Sequence, residues 1–300
     1  KDLNVMTMKK NNLFIFLMLS TATAFISSCE PQSDPLTHEQ YKKEVYLVGA
    51  AQDIQDKEVA YNGDGSLYVS VAIGGTQFPS EDVQVTIGRA SDDKMKLYNY
   101  KNFSADDVKY QTLPADWYEF SSWTGTIKAG EAYCRIPLKL KTNMLHPDSL
   151  YVIPLKVVST NAYSAVNKDT VLLVHPKMVN DYSGSYTFEG ATWQMINGQK
   201  DTNSASVITT LRNATALDAS TIRLFNKVVA EKIGNVASST YNIRVNSDNT
   251  LTITPYDQLG ITAGGGTYDP VKKSFKLWYT IEENGRTYRT EATLTRSKKS

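Results

Sequence analysis

Residue types that build metal sites and nucleophilic active sites are scarce in this sequence. Its 300 residues include only two cysteines and three histidines. The histidines, His38, His146 and His175, lie far apart, and none has a second metal ligand nearby in the chain. Zinc-type and calcium-loop spacings and the Gly-x-Ser-x-Gly motif of serine hydrolases are absent. We therefore expect no metal, no cofactor and no catalytic residues, although a glycosidase needs only two carboxylates and counting does not exclude one.

An excess of charge of one sign is also missing. The chain has 32 Lys and Arg residues against 31 Asp and Glu, a formal net charge of +1. A near-neutral chain gives no electrostatic reason to bind phosphate backbones, so we expect no nucleic-acid partner. Hydrophobic residues make up 41% of the chain, which is enough for a folded core. At about 100–200 residues per domain, this length suggests two domains.

Long apolar runs are missing too. The most apolar stretch, residues 13–19, is shorter than the ~20 residues that cross a membrane. It follows the basic pair Lys9-Lys10 and precedes small residues, which is the order found in a secretory signal. We expect Met8 to be the start of the protein and residues 1–7 to lie upstream of it.

The predicted signal ends at a cysteine. Residues 26–29 read Ile-Ser-Ser-Cys and resemble the lipobox of bacterial lipoproteins. The resemblance implies that residues 1–28 are upstream sequence plus signal peptide, that cleavage occurs before Cys29, and that the Cys29 thiol carries a diacylglycerol. The alternative is a plain signal peptide followed by a chance cysteine. Residues 29–43 are polar and are predicted to be a tether between this membrane anchor and the folded chain.

The rest of the chain has the pattern of many short β-strands. Apolar residues alternate with polar ones, as at Val83, Val85 and Ile87, and turn residues separate these segments. The pattern predicts an all-β protein with one domain at residues 44–176 and a second at residues 182–300.

Four local features refine this prediction. Residues 150–158 are apolar on both faces, which predicts a central strand. Residues 92–103 have a short helical pattern. Cys134 alternates with apolar neighbours and is predicted to be a small core residue. The three glycines at residues 264–266 lack the Lys-Ser/Thr of a phosphate loop and are predicted to form a flexible hairpin connection.

The first half of the chain resembles a known domain. The resemblance rests on Asp-Val-Gln-Val-Thr at 82–86, Tyr-Asn at 98–99, Leu-Pro at 113–114, Tyr118, Ile-Lys-Ala-Gly at 127–130 and Leu-Tyr-Val-Ile-Pro-Leu at 150–155. These stretches are similar to a domain of unknown function in lipoproteins of gut Bacteroidota, which also occurs in front of family-18 glycoside hydrolases. The resemblance implies an immunoglobulin-like β-sandwich.

The second half resembles the companion domain that often follows the first. Its motifs are Gly-Ser-Tyr at 184–186, Tyr-Asp-Pro at 268–270 and Lys-Ser-Phe at 273–275. The resemblance implies a lipocalin-like β-barrel. The two resemblances together imply an outer membrane lipoprotein at the cell surface, encoded near polysaccharide-uptake systems. The implied partners are a polysaccharide or oligosaccharide and outer-membrane uptake proteins. Glu30, an acidic residue just after the lipobox, fits export to the outer face.

Outward-facing tryptophans are the candidates for ligand contacts, because sugar rings stack their apolar faces on aromatic side chains. Trp117 and Trp278 each neighbour predicted core residues along a strand and are therefore predicted to point outward. The alternative is that each packs under a loop or between domains. Trp123 is predicted to face the core, and the pattern leaves Trp193 undetermined.

Three functions are compatible with these features. The first is non-catalytic glycan binding by a lipid-anchored envelope protein. The second is a structural or adhesion subunit that contacts other envelope proteins. The third is a carrier whose barrel holds a small apolar ligand, as lipocalins do. We expect no enzymatic activity.

Overall fold

The structure is a computed structural model in which residues 38–61, 63–166 and 170–297 are described. Two β-rich domains follow each other in these ranges, which confirms the all-β prediction. The predicted signal peptide, Cys29 and most of the predicted tether lie outside the described residues. Within the described ranges we find no apolar helix of membrane-spanning length.

In its described residues, the first domain has eleven strands and one α-helix. The helix confirms the pattern at residues 92–103. The elements are β1 (Glu44–Leu47), β2 (Gln55–Ala60), β3 (Ser66–Gly74), β4 (Val83–Arg89), α1 (Asp93–Asn102), β5 (Tyr110–Thr112), β6 (Tyr118–Phe120), β7 (Thr124–Ile127), β8 (Tyr133–Leu140), β9 (Leu150–Thr160), β10 (Ser164–Ala165) and β11 (Leu172–Val179).

These strands form a sandwich of two sheets. One sheet has the order β10-β1-β3-β8-β6 and the other β2-β11-β9-β4-β7, with β5 added in parallel to β9. Alternate residues of each sheet face the other sheet, and Val69, Val71, Val83 and Val85 are almost completely buried between them. Fully burying such a side chain stabilises the fold by about 1.5–3 kcal/mol.

The predicted central strand is confirmed as β9. It pairs with β4 on one side and with β11 on the other. Ile153 and Leu155 face the core between the sheets, while Val152 packs against Met95 of α1 on the opposite face. The strand is apolar on both faces because the sandwich core covers one face and α1 covers the other.

Between residues 184 and 297, the second domain has nine strands and one short α-helix. The elements are β12 (Gly184–Ile196), β13 (Gln199–Lys200), β14 (Ser206–Ala216), β15 (Thr221–Phe225), α2 (Val236–Ser239), β16 (Thr240–Val245), β17 (Thr250–Pro255), β18 (Ile261–Asp269), β19 (Ser274–Glu283) and β20 (Arg286–Arg296).

Eight of these strands close into a barrel. Each strand from β14 to β20 pairs with the next in antiparallel fashion, and β12 pairs with both β14 and β20. The long β12–β20 ladder, from Tyr186–Arg296 to Met195–Thr287, joins the two ends of the sheet. Closure removes the free edges that an open sheet would expose, and it confirms the predicted barrel.

The glycine triplet is part of the barrel wall, and its prediction as a hairpin connection is wrong. Gly264, Gly265 and Gly266 lie inside β18 and pair with β19. Gly266 has a φ of +153°, and a Cβ there would lie 2.1 Å from the Lys276 carbonyl oxygen. Glycine is needed because β18 lies so close to the backbone of β19 at this position that any side chain would collide with it.

The interior of the barrel is filled with side chains. The Tyr186 hydroxyl donates to the Tyr182 carbonyl oxygen at 2.7 Å, and the Tyr279 hydroxyl donates to Asn226 Oδ1 at 2.6 Å. These bonds satisfy polar groups that burial would otherwise leave unpaired. Side chains occupy the interior in which a carrier would hold a small apolar ligand, and this counts against the carrier alternative. The largest buried side chains are Tyr186, Phe188, Tyr241, Phe275 and Tyr279.

The domains meet at a short turn after β11. This strand continues through Pro176 to Val179, three residues beyond the predicted end of the first domain. Beyond Val174 it pairs only with β2, and proline is tolerated where a strand has lost one neighbour. Asn180 then donates from Nδ2 to the carbonyl oxygens of Asp218 and Thr221, at 2.7 and 3.0 Å, and so fastens the turn to the barrel.

Candidate ligand-binding face of the barrel

One outer face of the barrel carries aromatic and charged side chains from strands that are distant in sequence. The ladders place Ala191 of β12 opposite Glu291 of β20, Glu291 opposite Trp278 of β19, and Trp278 opposite Gly265 of β18. Their immediate neighbours along the strands, such as Leu277, are buried in the barrel interior. Because side chains alternate along a strand, the row itself points outward.

Two indoles on this face are each covered by a cation. The Arg289 guanidinium lies 4.1 Å from the centroid of the Trp278 ring, and Lys200 Nζ lies 4.3 Å from that of Trp193. Glu291 connects the two cations: Arg289 Nε donates to Oε1 at 2.8 Å and Lys200 Nζ pairs with Oε2 at 2.6 Å. The five side chains form one network, which we call the indole ladder. Cation–π contacts and paired charges of this kind restrict the rotamers of both tryptophans.

The carboxylate at the centre of the ladder is held in its charged form. The hydrogen bond from Lys200 lowers the pKa of Glu291 below its ordinary value, and Arg289 adds to this, whereas partial burial opposes it. A general acid needs the opposite shift, because it must hold a proton near neutral pH. The arrangement therefore suits Glu291 to position side chains and to accept hydrogen bonds.

An open depression lies beside Trp278. Its volume is about 430 Å³, and its wall includes Glu189 and Lys276, which are both exposed. Small residues, among them Gly266 and Ala292, also line it. An indole beside carboxylates, an amine and threonine hydroxyls presents both an apolar surface and hydrogen-bonding groups. The full lining is Glu189, Gly266, Thr267, Lys276, Leu277, Trp278, Glu291, Ala292 and Thr293.

The two tryptophans predicted from the sequence lie in different domains. Trp278 lies on the outer face of the barrel, in the indole ladder. Trp117 lies just before β6, where it packs against the sandwich core and makes an edge contact with Tyr151 at 5.6 Å. The structure does not bring Trp117 near Trp278. A ligand contact at Trp117 stays a prediction.

Sequence reasoning missed most of the ladder. The pattern leaves the orientation of Trp193 undetermined. Trp193 is an even number of residues from the exposed Glu189 and an odd number from the buried Phe188, and this spacing predicts an outward side chain. No local signal identifies Lys200, because it contacts Trp193 and Glu291 only after a short hairpin folds β13 back onto β12. Trp123 packs against the sandwich core, as predicted.

The remaining chemical candidates take structural roles. Cys134 packs partly buried against the sandwich core, and burial raises the pKa of its thiol, which makes it a poor nucleophile. Within the part of the chain that the structure describes, no group of three or more His, Cys, Asp or Glu side chains has the geometry to hold a metal ion.

Two family models match the chain. One, described as an N-terminal domain, matches residues 41–164, and the other, described as a C-terminal domain, matches residues 170–295. The chain belongs to this two-domain family. The matches confirm the resemblance that the motifs of the two halves indicated. Among curated proteins there is no match.

Solved structures of this fold come from Bacteroides. A protein of unknown function from Bacteroides ovatus has 20% identity and a TM-score of 0.61, over 85% of this chain and 94% of its own. A multidomain protein of that species including DUF1735 has 20% identity and a TM-score of 0.58, over 81% and 90%. An auxiliary nutrient binding protein from Bacteroides thetaiotaomicron has 19% identity and a TM-score of 0.57, over 82% and 91%. At these identities the likeness shows a shared fold.

Proposed function

We propose that this protein is a non-catalytic, lipid-anchored envelope protein that binds extracellular glycan on the outer face of its barrel. The observation that carries the proposal is the indole ladder beside an open depression. Trp278 and Trp193 are held in place by Arg289 and Lys200, and Glu291 links the two cations. A rigid aromatic surface next to polar groups is the arrangement that sugar rings favour.

In the proposed mechanism, each site binds glycan weakly, and anchoring of the protein to a membrane raises the effective affinity. The apolar face of a sugar ring packs against the exposed part of Trp278, while Glu189 and Lys276 at the rim of the depression bond its hydroxyls. Few groups contact the sugar, so a single site binds weakly. Many copies anchored on one surface, or repeated units of one polysaccharide, raise the effective affinity. A solved structure of the same fold is described as an auxiliary nutrient binding protein, which is consistent with such a role.

The binding proposal is tested by calorimetry and affinity electrophoresis of the full chain, which contains both domains, against a panel of neutral polysaccharides. We expect Trp278→Ala to raise the Kd at least tenfold, a loss of about 1.4 kcal/mol or more. Tyr100→Ala removes an exposed aromatic from α1 and serves as the control, which we expect to bind as the wild type does. Trp278→Phe separates loss of stacking from loss of folding, because it keeps an aromatic ring. Absence of binding to every glycan, or unchanged binding by both Trp278 variants, would overturn the proposal.

The anchor is a separate part of the proposal and has its own experiment. Mass spectrometry of protein from native cells is expected to find a diacylglycerol thioether on Cys29 and no residue before it. Cys29→Ser is expected to shift the protein from the membrane fraction to the soluble fraction. Protease treatment of intact cells then reports whether the protein faces outward. An unmodified Cys29 in native material contradicts the anchor and leaves the binding test unaffected.

The outer-membrane uptake proteins are the proposed partners, and a structural or adhesion role is the alternative. The two are separated by cross-linking in cells followed by purification. Recovery of a porin-like partner together with glycan binding by the wild-type chain supports the proposed function. Recovery of envelope proteins without any glycan binding favours the adhesion role.

A further inference from the structure

A second aromatic surface lies on the first domain, on the outer face of the sheet that contains β3 and β8. Tyr68 of β3 and Tyr133 of β8 are large exposed side chains, with 50% and 49% of their surface accessible. Arg135 lies between them, because Tyr133 precedes it by two residues on β8 and Tyr68 lies two residues from Ser70, its direct cross-strand neighbour on β3. Its guanidinium is 5.9 Å from the Tyr68 centroid and 5.8 Å from the Tyr133 centroid. We call these three side chains the Tyr-Arg-Tyr face.

The guanidinium of Arg135 is positioned but not neutralised. Among the described residues it forms no ion pair with a carboxylate, whereas the guanidinium groups of Arg223 and Arg289 are paired with Asp148 and Glu291. The flanking rings restrict its rotamers, and Arg135 is an exposed residue, so its guanidinium is accessible to a ligand. A pre-organised guanidinium binds a carboxylate or sulfate through two parallel hydrogen bonds.

A depression of about 320 Å³ adjoins this face. Tyr68 and Arg135 line it together with Lys57, Ser70 and Glu58. The cations of Lys57 and Arg135 outnumber the carboxylate of Glu58, and the serine hydroxyl adds a donor and an acceptor. The space holds one sugar ring, with a tyrosine ring to pack against and a fixed cation for an acidic substituent.

We propose that the Tyr-Arg-Tyr face binds an anionic sugar residue, one that carries a carboxylate or a sulfate. The acidic group accepts two hydrogen bonds from Arg135, and the apolar face of the ring stacks on Tyr68 or Tyr133. The proposal rests on the glycan-binding role proposed above and adds a second site, in the other domain and with a different sugar chemistry. A polysaccharide that binds both the indole ladder and this face gains affinity, because the two sites are linked in one protein.

The experiment compares variants of the two faces against two kinds of polymer. Wild-type full chain is titrated with oligogalacturonate, with dextran sulfate of similar length and with neutral dextran. Arg135→Gln is expected to raise the Kd for an acidic polymer at least tenfold. Arg135→Lys is expected to recover only part of the affinity, because an ammonium group lacks the planar fork. Whichever of oligogalacturonate and dextran sulfate binds more tightly identifies the carboxylate or the sulfate as the recognised group.

Controls separate this site from general charge attraction and from the indole ladder. Arg286→Gln removes an exposed arginine from the barrel with the same change in net charge, and we expect the affinity to stay unchanged. Trp278→Ala is expected to leave the contribution of Arg135 intact. Equal weakening by Arg286→Gln and Arg135→Gln, or no binding of either acidic polymer to the wild type, overturns the proposal. Failure of the proposed function is distinguishable, because it appears as unchanged binding of neutral glycan by the Trp278 variants.

Discussion

Asp148 of the first domain and Arg223 of the barrel form a two-pronged ion pair across the domain boundary. Arg223 Nη1 donates to Asp148 Oδ2 at 2.7 Å, and Nη2 donates to Oδ1. The side chain of Arg223 is only 4% exposed and that of Asp148 only 15%. The Arg223 guanidinium also lies over the Tyr256 ring, 4.7 Å from its centroid. Burial opposes the charge of Arg223, but the hydrogen bonds and charge of Asp148 outweigh it and raise the pKa of Arg223. The pair therefore connects the first domain to the barrel.

Removing one partner of this pair is expected to be costly. Asp148→Ala leaves the Arg223 charge buried without a counter-charge, and we expect the free energy of unfolding to fall by about 3 kcal/mol. Urea unfolding followed by circular dichroism measures the change. The control is Asp82→Ala, which breaks the exposed Lys128–Asp82 pair and is expected to cost about 0–1 kcal/mol. Equal effects of the two variants would show that the buried pair has no special role.

Glu39 is expected to control how the end of the predicted tether attaches to the sandwich. Its carboxylate accepts hydrogen bonds from the backbone N–H of Thr76 at 2.6 Å and of Gln77 at 3.3 Å, and it pairs with Lys43 at 3.0 Å. The Thr76 bond is the largest cause, followed by Lys43, and together they lower the pKa of Glu39 to about 2. A lowered pKa stabilises the attached state above the ordinary glutamate pKa, and this contribution is lost as the pH falls towards 2.

The measurement for this attachment is amide hydrogen exchange at Thr76 and Gln77 as a function of pH. We expect their protection factors to persist down to about pH 3, because the carboxylate stays ionised. In Glu39→Gln the protection is expected to be low already at neutral pH. Glu81→Gln, in the same connection between β3 and β4, is the matched control and should behave as the wild type. Loss of protection near pH 4.5 in the wild type would contradict the lowered pKa.

The barrel wall is expected to reject a side chain at Gly266. A Cβ there would lie 2.1 Å from the Lys276 carbonyl oxygen, and the φ of +153° is unfavourable for any other residue. Gly266→Ala is expected to lower the free energy of unfolding by about 3 kcal/mol or more. Gly234→Ala is the control, since nothing lies within 4 Å of its added methyl group, and we expect a change within about 0.5 kcal/mol. Thermal unfolding of both variants measures these changes in stability. A Gly266→Ala variant that is as stable as the wild type would contradict the close approach of β18 and β19.

The indole ladder is expected to depend on the charge of Glu291. Glu291→Gln removes the charge that orients Lys200 and Arg289, so we expect altered tryptophan fluorescence and a several-fold rise in the Kd for neutral glycan. In the wild type, Glu291 is ionised above the ordinary glutamate pKa, and the ladder is intact there. Because the pKa of Glu291 is lowered, the carboxylate gains a proton and the ladder opens only as the pH falls through this lowered value. A pH titration of the fluorescence follows this step. Glu282→Gln, near the exposed end of the same strand as Trp278, should leave the emission unchanged.

Local patterns in the sequence were sufficient to predict much of the fold. Alternation of apolar and polar residues identifies strands because successive side chains point to opposite faces. The same alternation placed Trp278 outward, and a run apolar on both faces identified β9 as central. The glycines at residues 264–266 misled the prediction because glycine is typical of turns, whereas here it permits the close approach of β18 to β19.

The tertiary structure alone decided which residues meet. Glu291 lies between Lys200 and Arg289 because β20 pairs with β12 and closes the barrel, and Asp148 reaches Arg223 because the two domains are packed together. Periodicity along a chain tells which face a side chain occupies, since it depends only on local backbone geometry. Which strands pair, and in which register, depends on hydrogen bonds and packing between segments distant in sequence. No local pattern contains that information.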